Sequence, residues 1–264
     1  MIRNTQIIFC NYAVALLLCY LFFDPKPSVA LFEMHWPVYV PLMILLPSVF
    51  LFLAASVRQV GIVRTDAAQR LSLFIPILAA WFIFKEDFNI FKIIGILIGF
   101  PALGLILAKK STGSGSNKAW AFPAIVLLGF GVVDTLFKKV VTFEKPSYTT
   151  SLFMVFIGAI TITFFAMLYE IFIMKKTKFS FMNIAYGALV GIFNFGNILF
   201  YLQAHNEFAN NPSTVFAAMN MGVIVTGSLA GVLIFGERLS LKNYIGIVLA
   251  LLAIVFIALS QLYA

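Results

Sequence analysis

The segment that organises this sequence covers residues 65–107, which read TDAAQRLSLFIPILAAWFIFKEDFNIFKIIGILIGFPALGLIL. It contains two apolar segments joined by a short charged turn. The pattern returns in residues 215–259, which read VFAAMNMGVIVTGSLAGVLIFGERLSLKNYIGIVLALLAIVFIAL. With an offset of 151 residues, Glu86 in the first turn aligns with Glu237 in the second. A repeat at this separation predicts a protein of two related halves.

The composition indicates an integral membrane protein. Of the 264 residues, 62% are hydrophobic and 11% are charged, and the mean hydropathy is +1.03. A soluble domain carries about 25% charged residues, and no soluble core in so short a chain covers this much apolar surface. The net charge of +8 comes from Lys and Arg in the gaps between apolar segments. That placement favours contact with membrane lipids over nucleic-acid binding.

Nine apolar segments have the length of about 17–25 residues that a membrane-spanning helix needs. Named A to I in chain order, they cover residues 6–23, 38–57, 68–84, 91–108, 120–138, 149–172, 183–204, 213–234 and 243–262. The longest polar linker, 109–118, is rich in Gly and Ser and is the natural joint between halves. We therefore predict a first repeat of four helices over 1–110 and a second of five over 119–264.

The two repeats are predicted to be inverted, because a five-helix repeat ends on the opposite side of the membrane from its start. Segments C and D match H and I, and A and B match F and G, so the partner of E is missing. We expect that helix to precede Met1, through a start-site error or a truncation. Loop Lys and Arg residues, among which Lys92 is counted, predict a C-terminus outside the cell. The fold class is an all-α membrane protein of inverted repeats, a construction of many transporters.

Arg70, near the start of segment C, is the strongest candidate for a binding residue. Ionisable groups inside a membrane are costly and mark functional sites. A guanidinium can bind a carboxylate or phosphate with two hydrogen bonds, which suggests an anionic group on the ligand. Asp66 lies four residues earlier and is a possible charge partner. The alternative is a structural Asp66–Arg70 pair near the membrane surface.

Segment G carries a stripe of polar residues at helical spacing. Asn194, Asn197, Tyr201 and His205 follow one another at steps of three, four and four residues, on one face. Asn194, Asn197 and Tyr201 are predicted to line a cavity, the alternative being hydrogen bonds between helices. His205, at the end of the segment, is expected at the membrane surface.

Gln69 and Asn220 occupy equivalent repeat positions. If the two halves face each other across a cavity, both amides project toward it, so both are predicted to bind substrate. In segment G, the Gly-x-x-x-Gly spacing at Gly187 and Gly191 predicts close helix packing.

Other charged residues favour structural roles. Glu86 and Glu237 recur in both turns, which favours capping of the helix that follows. Asp134 and Lys138, four residues apart, are interpreted as an ion pair at the membrane surface.

The sequence gives no sign of an enzyme. It contains two histidines and two cysteines, without the spacing of a metal site or a catalytic motif. Cys10 and Cys19 lie nine residues apart on one predicted helix, on nearly opposite faces, so no disulfide joins them. We predict no catalytic residues, no metal and no cofactor.

The repeated unit resembles the end of an EamA domain of the drug/metabolite transporter superfamily. The resemblance rests on FKED at 84–87 and FGER at 235–238, each followed by a helix that contains Gly95 or Gly246. It implies ten helices in two inverted repeats around a central cavity, and transport of a small metabolite by alternating access. It also implies a cytoplasmic C-terminus, against the charge count above, and does not name the substrate.

We hypothesise a secondary transporter or exporter of a small polar or anionic metabolite in the bacterial inner (plasma) membrane. The alternatives are a non-transporting membrane partner or assembly subunit, in which polar residues join helices, and a lipid-translocating protein.

Overall fold

The structure, a computed structural model, describes residues 4–25, 35–106, 121–175, 180–233 and 240–262. These residues form helices and no strand. The α-helices are α1 Asn4–Phe23, α2 Trp36–Val60, α3 Ile62–Leu71, α4 Phe74–Phe82, α5 Ile90–Ile106, α6 Ala121–Val141, α7 Tyr148–Leu168, α8 Phe181–Glu207, α9 Pro212–Leu233 and α10 Leu241–Leu262. A π-helical segment, Tyr169–Ile173, extends α7. Each predicted segment A to I coincides with described helix, whereas the predicted linker lies outside the described residues.

Five of the described helices are long and apolar enough to cross a membrane. They cover residues 5–23, 36–60, 148–173, 181–207 and 241–260. Shorter apolar helices cover residues 68–82, 90–102 and 212–227. The predicted all-α membrane fold is confirmed.

Segment C, predicted as one helix, is broken in two. The helices α3 and α4 are separated by Ser72 and Leu73. Pro76 explains the break, because proline has no N–H and its ring crowds the carbonyl group four residues earlier. That carbonyl belongs to Ser72, and it accepts a hydrogen bond from the Ile75 N–H instead, at 3.0 Å. The break follows directly after Arg70, which lies in the last turn of α3.

The helix α3 begins at a sharp turn. Gly61 alone separates it from α2 and has a φ of 88°, in the left-handed region that favours glycine. The Ser56 and Thr65 hydroxyl groups are hydrogen-bonded across this turn at 2.7 Å. The turn and the bond set the direction in which α3 leaves α2.

The helices pack into two compact units, each built from both halves of the sequence. The first contains Met1–Ala55 and Leu136–Asn206, and the second contains Ser56–Thr135 and Glu207–Ala264. This is a division by packing. The predicted sequence domains, 1–110 and 119–264, are a division by repeat and stay a prediction.

In the first unit, α1 packs against α7 in the opposite direction. The Thr5 hydroxyl, at the start of α1, donates to the Glu170 carboxylate just beyond α7, at 2.9 Å. The Cys19 thiol, toward the other end of α1, donates to the Thr149 carbonyl at the start of α7, at 3.6 Å. The start of α1 thus contacts the end of α7, and the end of α1 contacts the start of α7, so the two helices are antiparallel.

Gly187 and Gly191 bring α8 close to α1, as their spacing predicted. A Cβ atom added to Gly187 would lie 2.5 Å from the Cys10 Cβ, and one added to Gly191 would lie 2.7 Å from the Asn11 carbonyl oxygen. Cys10 therefore faces α8, whereas Cys19 faces α7. Both thiols are free.

In the second unit, α5 and α10 form an antiparallel pair that is hydrogen-bonded at both ends. The Asn89 side chain, at the start of α5, donates to the Ser260 carbonyl near the end of α10, at 2.8 Å. The Asn243 side chain, at the start of α10, donates to the Leu105 carbonyl near the end of α5, at 3.2 Å. Each helix thus satisfies a C-terminal carbonyl of its partner.

These pairings support the inverted repeat. The helix α1 is segment A and packs on α7, which is its repeat copy F. The helix α5 is segment D and packs on α10, which is its repeat copy I. Because each helix runs opposite to its own copy, the two repeats have inverted topology, as predicted.

Candidate substrate-binding residues

Arg70 and Asp66 form an ion pair along α3. The Arg70 Nη2 atom lies 3.3 Å from the Asp66 Oδ1 atom, with the two side chains 17% and 37% exposed. The predicted pair is therefore present, through the Nη2 atom of the guanidinium. The Arg70 Nε atom is buried and has no hydrogen-bond partner among the described residues. An unused donor on a permanently charged, largely buried group can bind an anionic oxygen.

Gln69 and Asn220 both lie in the second unit, and both are half-buried. The Asn220 amide nitrogen donates to the carbonyl of Phe216 on its own helix, α9, at 3.0 Å. The Ser72 hydroxyl donates to the Gln69 backbone carbonyl at 2.6 Å, at the break after α3. Within the described part of the chain, no hydrogen bond joins Gln69 to Asn220. Their role in binding stays a prediction.

The three predicted binding residues of the stripe on α8 differ in how far they are buried. Asn194 is half-buried, and its Nδ2 atom is buried without a hydrogen-bond partner in the described part of the chain. Asn197 is exposed, whereas Tyr201 is buried and its ring packs edge-on against the ring of Phe137. The three predicted residues are therefore placed differently, and the Nδ2 atom of Asn194 is an uncommitted buried donor.

His205 and Lys138 are more deeply buried than the sequence suggested. His205 was expected at the membrane surface, but it is 0% exposed, and its ring packs edge-on against Tyr201 at 4.6 Å between ring centroids. Lys138 was interpreted as part of a surface ion pair, but it is 1% exposed, and its ammonium group donates to the His205 carbonyl at 3.4 Å. Packing of α6 beside the C-terminal end of α8 covers both residues.

Sequence reasoning missed a buried polar cluster in the second unit. Lys92, which was counted among the loop charges, is 1% exposed, and its Nζ atom lies 2.6 Å from the Glu86 Oε1 atom. The Glu86 carboxylate also accepts hydrogen bonds from the Ser213 N–H at 2.9 Å and hydroxyl at 2.6 Å. The sequence signal was available, because Lys92 lies inside the predicted segment D.

Glu86 does cap a helix, but not the one predicted. Its contact with Ser213 caps the start of α9, from the other half of the sequence, whereas the start of α5 is capped by Asn89, which accepts from the Lys92 N–H at 3.0 Å. A contact between residues 127 positions apart cannot be recognised from local spacing. Glu237, the repeat copy of Glu86, lies outside the described residues.

The described features define a class of protein. It is an all-α membrane protein of inverted repeats, with an apolar segment that is broken close to a charged residue. This arrangement is characteristic of transporters, whose sites form at discontinuous helices.

Comparison with known proteins gives the family. The model of the EamA-like transporter family matches residues 119–259. A Haemophilus influenzae protein described as uncharacterized is 42% identical over 220 residues, which are 83% of this chain and 74% of that protein. A protein of known crystal structure shares the fold, with a TM-score of 0.67 and 12% identity over 98% of this chain and 90% of that one. The chain belongs to the EamA-like transporter family and is a membrane transporter of the drug/metabolite transporter type.

Proposed function

We propose that this protein is a secondary transporter or exporter of a small polar or anionic metabolite, which works by alternating access between its inverted repeats. The observation that carries the proposal is the uncommitted, buried Nε atom of Arg70 beside the break between α3 and α4. Each of five further residues is also proposed to bind substrate, Gln69 and Asn220 in the second unit and Asn194, Asn197 and Tyr201 in the first. The proposed location is the bacterial inner (plasma) membrane.

The chemistry of Arg70 favours an anionic substrate group. Asp66 contacts the Nη2 atom of the guanidinium. The Nε atom is left to donate, and hydrogen bonds between charged groups are roughly twice as strong as neutral ones. Because arginine stays protonated at any physiological pH, the site is positive whenever Asp66 is displaced. A carboxylate or phosphate oxygen matches this donor.

The buried polar residues are of two kinds, those whose hydrogen bonds join helices and those with an unused donor. The Gln6 side chain accepts from the Asn183 amide at 2.8 Å, and the Tyr39 and Ser151 hydroxyl groups are 2.6 Å apart. These buried pairs join helices and leave their donors satisfied, which is the packing role. The Arg70 Nε and Asn194 Nδ2 atoms differ because their donor capacity is unused. Unused buried donors favour ligand binding over the alternative of a non-transporting subunit.

A thermal-shift screen of the purified protein tests the proposal. The probes are monocarboxylates, dicarboxylates, phosphate esters, zwitterions and their uncharged amides, with phosphatidylglycerol as the lipid arm. Stabilisation of about 2.7 kcal/mol is expected at a hundredfold excess of ligand over its Kd. We expect one anionic class to stabilise the protein.

Three variants make the screen specific. Arg70→Gln is expected to abolish the shift, and Arg70→Lys to weaken it, because lysine keeps the charge but lacks the planar N–H edge. Arg58→Gln, at an exposed arginine, is the matched control and should keep the shift. An unchanged shift in Arg70→Gln contradicts the role of Arg70. A response to lipid alone would favour the lipid-translocating alternative.

A further inference from the structure

The Glu86–Lys92 cluster uses all of its hydrogen-bonding groups. The Lys92 ammonium group donates to the Glu86 carboxylate at 2.6 Å, to the Asn211 side-chain oxygen at 3.0 Å and to the Asp87 carbonyl at 3.3 Å. The Glu86 carboxylate accepts from Lys92 and twice from Ser213. Each ammonium hydrogen and both carboxylate oxygens therefore have a partner. A fully satisfied buried network fixes geometry more rigidly than its separate bonds would.

The cluster fixes the beginning of α9. Pro212 and Ser213 are the first residues of that helix, where backbone N–H groups have no partner within the helix. The Glu86 carboxylate accepts one of these N–H groups and lies at the positive end of the helix dipole. Lys92 neutralises the carboxylate, so that a charge buried at 4% exposure is tolerated there.

The anchored residue and the predicted binding residue lie on the same face of α9. Ser213 and Asn220 are seven residues apart, which is within about 20° of two full turns. The rotation of α9 that lets Ser213 contact Glu86 therefore also sets the direction of Asn220. A slip of one residue would turn that side chain by about 100°.

We propose that Glu86 and Lys92 are positioning residues of the transporter, which fix the rotation of α9 and thereby orient Asn220. The proposal rests on the proposed function for the role of Asn220, and its structural part can be tested without a substrate. The second repeat has no copy of this ion pair, because Asn243 stands at the position equivalent to Lys92.

The test measures the reactivity of a cysteine placed at position 220. Asn220→Cys is introduced with Cys10→Ala, and its rate of reaction with N-ethylmaleimide is measured in detergent micelles. Thr226→Cys, exposed on the same helix, is the matched site. The native Cys19, at 0% exposure in the first unit, and Ala250→Cys, buried in the second, report unfolding.

Four changes at the cluster distinguish positioning from simple charge pairing. Glu86→Gln and Lys92→Met each leave one buried charge without its partner. Each is expected to change the reaction rate at position 220 by about tenfold, the factor that corresponds to loss of one hydrogen bond to a charged group. The neutral pair Glu86→Gln with Lys92→Met should restore the rate, because glutamine still accepts from the Ser213 N–H. The swap Glu86→Lys with Lys92→Glu should not restore it, because a lysine at position 86 would face the positive end of α9.

The outcomes separate the proposal from its alternatives. The rate at position 226 should stay within about twofold, because Thr226 is exposed on α9 and does not contact the Glu86–Lys92 cluster. Equal rates at position 220 in all variants would overturn the proposal, as would rescue by the charge swap. Increased labelling of Cys19 or of Ala250→Cys in a single variant would mean that this variant unfolds. The comparison of the neutral pair with the charge swap then tests the proposal. If the rates change as expected but Asn220→Ala keeps ligand stabilisation, the positioning of α9 stands and the binding role of Asn220 fails.

Discussion

The close contact of α8 with α1 at Gly187 predicts that Gly187→Ala destabilises the protein. The size of the loss follows from the distances at the contact. A Cβ atom at Gly187 would lie 2.5 Å from the Cys10 Cβ and 2.7 Å from the Ile7 carbonyl oxygen. Real contacts of this kind need roughly 3.5 Å, so Gly187→Ala forces the helices about 1 Å apart. The Ile7 oxygen is part of the α1 backbone and cannot rotate away as a side chain would.

The expected cost is that of overpacking a tight contact, about 1–3 kcal/mol. Alanine also favours the helix over glycine by about 1 kcal/mol, and a matched control removes this contribution. Gly196 lies on the same helix, and a Cβ atom there would meet nothing within 4 Å. Gly196→Ala should therefore be neutral or stabilising, and the difference between the two variants isolates the packing cost.

Equilibrium unfolding in mixed detergent and dodecyl sulfate micelles measures both variants. We expect Gly187→Ala to be less stable than Gly196→Ala by about 1–3 kcal/mol. Equal stabilities would refute the close approach of α8 to α1. A larger loss in Gly196→Ala would mean that the face of α8 toward α1 is assigned wrongly.

Three further predictions concern α5, its contacts and the turn that precedes it. Gly95→Ala should destabilise the protein by about 1–3 kcal/mol, because an added Cβ atom would lie 2.6 Å from an atom of α10. Gly104→Ala is the control and should not destabilise it, because an added Cβ atom there meets nothing within 4 Å. Thermal melting of both variants checks this, and equal melting temperatures would contradict it. Asn89→Ala and Asn243→Ala should each cost about 1 kcal/mol and add in the double variant, because they act at opposite ends of the helix pair; a cycle of unfolding free energies tests additivity. Lys85 has a φ of 51°, and the second repeat has glycine at the equivalent position, so Lys85→Gly should be neutral or stabilising in thermal melting; a loss of stability would show that the lysine side chain matters there.

The parts of the fold that follow from local pattern could be predicted from the sequence. Apolar length located the helices, and the offset between Glu86 and Glu237 revealed the repeat. The Gly187 and Gly191 spacing indicated close packing, which the contact with α1 confirms. Each of these features depends on residues within one segment or on exact recurrence, so no knowledge of tertiary contacts was needed.

The parts that depend on tertiary contacts could not be predicted in the same way. The break in segment C could have been anticipated from Pro76, but proline is tolerated in membrane helices when neighbouring groups satisfy the freed carbonyl. Lys92 looked like a loop charge because it lies near a turn, yet its partners include Asn211, which is 119 positions away. The burial of His205 likewise depends on how α6 packs beside it, which a helical wheel of α8 does not show.

The candidate site illustrates the same limit. Helical spacing placed Asn194, Asn197 and Tyr201 on one face, but packing buries Tyr201 and leaves Asn197 exposed. Spacing also paired Arg70 with Asp66, and the ion pair is present. What spacing could not supply is which donor remains unused, since that depends on every neighbour of the guanidinium.

Flux through Arg70 variants in proteoliposomes would show whether Arg70 binds the transported substrate. The labelled probe is the member of the anionic class that stabilises the protein most in the thermal-shift screen. We predict saturable uptake by the unmodified protein and by Arg58→Gln, and a loss of about 10–100-fold in kcat/KM in Arg70→Gln, as removal of a hydrogen bond to a charged group implies. Undiminished flux in Arg70→Gln, or flux that never saturates in the unmodified protein, would contradict the account.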